Sequence, residues 1–195
     1  MGERLGIFGG TFDPPHVGHL VAAVNVRHEL DLDRMLLVVA NEPWQKTSDR
    51  QVTPAEDRLA MVAAAVADHD GLEASDIEIR RGGPSYTADT VTELGSGDPE
   101  AAFFVVLGRD AAAELPTWER VDVVRDQAEI VVVDRPGGHA ELPQGFRWRR
   151  VVIPQLQVSS TDLRDRLAGG RPVDYLVPDA VVECLRERHL YRSRR

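Results

Sequence analysis

Scarcity is the first information in this chain. There is a single cysteine, Cys184, so no internal disulfide can form. Together with the lack of a second histidine pair, this argues against a closed structural zinc site. Cys184 falls in a C-terminal helical pattern and reads as a small buried hydrophobe. No apolar run approaches the ~18 residues that a membrane span needs. The start, Met1 to Leu5, lacks the apolar core of a signal peptide, so a cytoplasmic protein without membrane contact is expected. Positive charge is also short. The 23 Lys and Arg against 32 Asp and Glu leave a net charge of −9, which argues against nucleic-acid binding, since that calls for a basic face. The Arg-rich end, Arg186 to Arg195, reads as a solvated helix and tail. An anionic ligand must then be met by local groups rather than by a global field.

Also missing are internal repeats, low-complexity tracts and any linker. The 195 residues, 43% hydrophobic and 28% charged, suit one α/β domain over 1–195 with a full core. Apolar, β-branched runs at Leu5–Phe8, Met35–Val39, Leu72–Ile79, Ala102–Leu107, Ile130–Val133 and Arg150–Ile153 read as strands. Helical patterns cover Gly18–Leu30, Pro54–Asp68, Thr87–Leu94, Glu119–Gln127, Thr161–Ala168 and Pro178–Arg188. This alternation predicts a Rossmann-like, doubly wound, mostly parallel sheet with helices on both faces. Such sheets bind ligands beyond the carboxyl ends of their strands. The Pro- and Gly-bearing loops Ala40–Thr53 and Arg135–Gly145 are expected to be the mobile parts.

Against that background one stretch carries the most chemistry: Gly9-Gly10-Thr11-Phe12-Asp13-Pro14-Pro15-His16-Val17-Gly18-His19. It leaves the first strand through two glycines, which let the backbone approach a ligand closely. His16 and His19 lie three residues apart on the first turn of the following helix, where free N–H groups and the dipole favour anions. The stretch matches neither Gly-x-Gly-x-x-Gly nor the P-loop. A bare turn, or a metal pair with Asp13 as third ligand, is the competing reading. We expect Asp13 to order the turn instead.

Gly9 to His19 resembles the His-x-Gly-His signature of a nucleotidyltransferase superfamily. Ser159-Ser160-Thr161-Asp162-Leu163-Arg164 matches that superfamily's second mark, about 140 residues further on and in the expected order. Pro84-Ser85-Tyr86-Thr87-Ala88-Asp89-Thr90, Leu107-Gly108-Arg109-Asp110 and Leu115-Pro116-Thr117-Trp118 narrow the likeness to the bacterial nicotinate mononucleotide adenylyltransferases. The resemblance covers essentially the whole chain.

That family joins ATP to nicotinate mononucleotide, giving deamido-NAD and pyrophosphate by in-line displacement at the α-phosphate. The resemblance places ATP against Gly9, Gly10, Thr11, Phe12, His16, His19, Ser159, Ser160, Thr161 and Arg164. His16 and His19 would hold phosphates, with His19 steadying the α-phosphoryl oxygens. Arg164 would grip the β- and γ-phosphates through its planar fork, and Lys46 would be a second cation. Nicotinate mononucleotide would meet Lys46, Tyr86, Thr87, Asp110 and Trp118, with the indole stacked on the pyridinium. The Tyr86 and Thr87 amides would face the carboxylate, and Asp110 would hold the ribose or shape the phosphate region. Magnesium would arrive through substrate phosphates, with no protein metal site.

Each assignment has a plainer alternative. Thr161 or Ser160 could simply cap a helix starting near Asp162. Arg164 could pair with Asp162 or Asp165, Trp118 could be a packing plug, and Asp110 could cap Ala111–Ala113. Many relatives carry His-Lys where this chain has Gln45-Lys46, so that histidine contact does not carry over. A sister transferase acting on phosphopantetheine or a phosphorylated alcohol is the rival enzyme, and a silent nucleotide sensor is the rival from another class. A homo-oligomer stays open.

Overall fold

The computed structural model describes residues 2–43, 52–134, 141–154 and 156–191. Six strands form one sheet in the order β3-β2-β1-β4-β5-β6. They are β1 (Arg4–Gly10), β2 (Arg34–Val39), β3 (Leu72–Ser75), β4 (Ala102–Gly108), β5 (Ala128–Asp134) and β6 (Trp148–Val152). Every pairing is parallel. Parallel strands need crossovers, and from β1 to β5 helices supply them: α1 (Val17–Glu29), α2 (Ala55–Val66), α3 (Ile77–Arg81), α4 (Thr87–Gly97), α5 (Arg109–Glu114) and α6 (Val121–Gln127). Two more, α7 (Ser160–Ala168) and α8 (Asp179–Glu187), follow β6.

The strands are apolar without a break because both faces are covered. On one face Leu37, Val39, Phe104, Val106 and Val131 pack against Ala23 and Val26 of α1, Met61 of α2, Leu163 of α7 and Val181 of α8. On the other, Ile7, Leu36, Val38, Val105 and Val132 pack against Ala88 and Val91 of α4, Ala112 of α5 and Val124 of α6. Leu163 is fully buried, so truncation to alanine would cost about 2–5 kcal/mol. Strand order reverses between β1 and β4, where a crevice opens beyond the carboxyl ends.

Two expectations need correction. The apolar run Leu72–Ile79 is not one strand: β3 ends at Ser75, and Ile77–Arg81 is the short helix α3. Ile77 and Ile79 flank Glu78 in an apolar-polar-apolar pattern that reads as a strand, but in α3 the two isoleucines turn to different clusters. The C-terminal segment is not merely solvated. Leu190 and Tyr191 pack against the first core cluster, and Arg188 donates to Asp57 of α2 at 2.6 Å. Much of the two loops expected to be mobile lies outside the described residues, as does Lys46. Among the described residues no helix is long and apolar enough to cross a membrane.

Candidate active site

A cavity of about 1070 Å³ opens at the β1/β4 switch point. It is lined by all the described residues singled out in the sequence: Gly9, Gly10, Thr11, Phe12, His16, His19, Tyr86, Thr87, Asp110, Trp118, Ser159, Ser160, Thr161 and Arg164. They come from both sides of the sheet edge. The β1–α1 turn and α7 belong to the face of the first core cluster, and α4, α5 and the Trp118 segment to the face of the second.

On the first side His16 is the N-cap of α1, in extended conformation. Its backbone N–H donates to His19 Nδ1 at 3.2 Å. A nitrogen that accepts cannot carry the proton, so neutral His19 bears it on Nε2. The two imidazoles stack with centroids 3.7 Å apart, and Phe12 meets His19 edge-on at 5.0 Å. His16 is buried, which pushes its pKa down to about 4 and keeps the ring neutral at pH 7. Among the described residues its Nδ1 has no hydrogen-bond partner. Two glycines make room for this stack. A Cβ on Gly18 would press within 3.0 Å of the His16 ring and Val158, and one on Gly10 would enter the Phe12 ring at 2.8 Å.

Helix α7 closes on the same turn. Ser160 Oγ donates to the Pro14 carbonyl at 2.9 Å. Arg164 Nη1 donates to the Asp13 carbonyl at 2.7 Å, and Nη2 to Thr161 Oγ1 at 3.0 Å. The cap of α7 is Ser159, whose hydroxyl accepts the Asp162 N–H, rather than Ser160 or Thr161. It is Arg166 that pairs with Asp162.

Two side chains that sequence reasoning missed lie beneath the turn. Arg58 is buried and donates to the carbonyls of Thr11, Ala40, Asn41 and Thr53. It thereby ties the motif turn to both flanks of the segment after β2. Its signal was visible: Arg58, Met61, Val62 and Ala65 share one buried stripe of α2. Tyr191 donates its hydroxyl to the buried Asp13 carboxylate.

The second side is built differently. Tyr86 is the N-cap of α4 and Thr87 its first residue, where backbone N–H groups have no intrahelical acceptor. Ser85, just before them, is fixed to the loop after β2 by its Oγ accepting Asn41 N–H at 2.8 Å. Asp110 stands in the first turn of α5 but does not cap it, since Gly108 occupies that position. Trp118 is half-buried against the second cluster. Among the described residues its buried Nε1 has no hydrogen-bond partner. Arg109 also lines the cavity and pairs with buried Asp134, which takes Arg150 as well. The arrangement can hold a long, polyanionic, partly aromatic ligand across the switch point.

Comparison with known proteins fits that description. A family model described as cytidylyltransferase-like matches residues 7–166. The protein named probable nicotinate-nucleotide adenylyltransferase in Saccharopolyspora erythraea is 43% identical over 194 residues, 98% of this chain and 91% of that protein. A protein of the same name in Streptomyces coelicolor is 46% identical over 188 residues, 95% of this chain and 99% of its own. Among solved structures, Plasmodium falciparum nicotinic acid mononucleotide adenylyltransferase complexed with NaAD superposes with a TM-score of 0.79. That match has 17% identity and covers 97% of each chain, so it bears on the fold.

Proposed function

The chain belongs to the cytidylyltransferase-like family and, within it, to the nicotinate-nucleotide adenylyltransferases, and on that premise we propose how its own residues carry adenylyl transfer from ATP to nicotinate mononucleotide. The observation that carries the reading is the convergence of the starts of α1 and α7, joined by Arg164 and Ser160, on one cavity. Two helix N-termini aimed together make a polyphosphate site.

The acceptor's 5′-phosphate is already anionic, so no catalytic base is required. Its oxygen attacks the ATP α-phosphorus in line, a P–O bond forms, and the bond to the β-phosphate oxygen breaks to release pyrophosphate. Positioning and electrostatics then set the rate. His19 donates from Nε2 to an α-phosphoryl oxygen, since its Nδ1 is held by His16 N–H. Neutral His16 offers a hydrogen bond rather than a charge, and Arg164 supplies the cation for the β- and γ-phosphates. Gly9 to Phe12 leave space for the nucleotide backbone. Lys46, from outside the described residues, is assigned to the same phosphates.

Trp118 stacks on the pyridinium, the start of α4 at Tyr86 and Thr87 faces the carboxylate, and Asp110 takes the ribose. Magnesium is assigned to the ATP substrate, whose phosphate charge it would offset.

A coupled pyrophosphate-release assay with a panel of acceptors tests the assignment. Turnover with nicotinate mononucleotide and none with phosphopantetheine or cytidylyl chemistry supports it. Turnover confined to another acceptor rejects it.

A further inference from the structure

Tyr191 lies just past α8, some 130 residues beyond Met61, yet its hydroxyl sits 4.0 Å from Met61 Sδ and on the Asp13 carboxylate. Thr53 also bonds this hydroxyl, and burial beside Asp13 pushes its pKa up, so it stays a neutral donor at every working pH. Asp13 is almost wholly buried. Its side chain takes the Tyr191 hydroxyl, and its backbone carbonyl takes Arg164 Nη1 at 2.7 Å. One residue thus links the C-terminal segment to the guanidinium that lines the phosphate end of the cavity.

We propose that Tyr191 is a positioning residue: it fixes the Asp13 carboxylate, and through the Asp13 carbonyl it fixes the direction of Arg164 toward the nucleotide phosphates. The inference rests on the adenylyl-transfer reading above. Without the hydroxyl, the buried carboxylate loses one donor and is held less tightly, and the peptide group that holds Arg164 loosens with it. A residue acting only on stability would lower the amount of folded enzyme and leave the kinetics of the folded fraction alone.

A double-mutant cycle on the full chain separates these roles. Tyr191→Phe should lower kcat/KM for Mg-ATP about tenfold, with KM for nicotinate mononucleotide within about twofold of wild type. In an Arg164→Lys background, where the fork is already gone, the same substitution should cost less than about threefold. Equal losses in both backgrounds, unchanged ATP kinetics, or parallel losses for both substrates would overturn the proposal. Should Tyr191→Phe not fold, Asp13→Ala removes the oxygen that takes the hydroxyl and keeps the backbone carbonyl that takes Arg164. It should show the same ATP-specific loss, and wild-type ATP kinetics in that variant would also overturn the proposal. Wild-type turnover is the control that separates the two readings: its absence rejects the transferase assignment, whereas turnover with an unaltered variant rejects only the role of Tyr191.

Discussion

The two sides of the cavity are held by opposite strategies. On the phosphate side the groups hold one another: His16 N–H bonds His19, Arg164 bonds Asp13, Ser160 bonds Pro14, and Tyr191 bonds Asp13 from below. On the acceptor side, α4, α5 and the Trp118 segment each bring a residue, and ion pairs of neighbouring residues hold these elements in place. Arg120, beside Trp118, pairs with Asp89 of α4 at 2.5 Å, and Arg109 pairs with Asp134. A reaction centre gains from groups that cannot reorganise as charge moves. A recognition surface gains from groups that line the cavity without being tied to one another, and Trp118 lines it as a half-buried aromatic face. Under the proposed function, rate and choice are divided between the two faces of one sheet edge.

The division is broken most forcefully at His19. His19→Ala should lower kcat by about a hundredfold or more, as removal of one transition-state donor does elsewhere, while KM for Mg-ATP changes little. Steady-state kinetics over both substrates checks this. Near-normal kcat with a raised KM would show that His19 binds only ground-state phosphate.

The phosphate side should also be the acid-sensitive one. Burial holds His16 down to about 4 in the folded protein, against about 6.5 when exposed. The unfolded chain thus binds a proton below pH 6.5 that the folded chain refuses until about pH 4. The stability this gives is full above pH 6.5 and is lost as pH falls toward 4, by roughly 3 kcal/mol. Urea unfolding of wild type and His16→Asn from pH 7 to 4 measures it. The variant's curve should be flatter by that amount, and parallel curves would remove His16 as the cause.

What the sequence disclosed follows the same line. Part of the phosphate side was legible because its groups are local: two glycines and a histidine pair lie within the eleven residues Gly9 to His19, at the end of the first strand. The acceptor residues could be named only by family likeness, since Tyr86, Asp110 and Trp118 share no spacing rule. Hidden altogether were the long-range ties. Arg58 bonds carbonyls up to 47 positions away and Tyr191 a carboxylate 178 positions away, and no local pattern encodes such partners. The end of β3 was misread because Ile77-Glu78-Ile79 has a strand's apolar-polar-apolar pattern, although in α3 its two isoleucines face different clusters.

On the acceptor side the effects should be smaller and confined to binding. Trp118→Ala should raise KM for nicotinate mononucleotide about tenfold, within the range of a desolvated cation–π contact, and leave kcat within about threefold. Trp118→Phe keeps a smaller aromatic face, so its KM should fall between. A drop in kcat matching that of His19→Ala would erase the distinction between the two sides.

The central claim is that rate and choice are separable, and one ratio tests it most directly. Backbone N–H groups at the start of α4 suit a carboxylate better than a carboxamide, a mismatch worth about 1–3 kcal/mol or roughly five- to 150-fold in kcat/KM. That preference for nicotinate over nicotinamide mononucleotide should be measured at saturating Mg-ATP in wild type and in His19→Ala. The account predicts that the variant is far slower with both acceptors and keeps the wild-type ratio within about twofold. A ratio that collapses toward one when His19 is removed would contradict it.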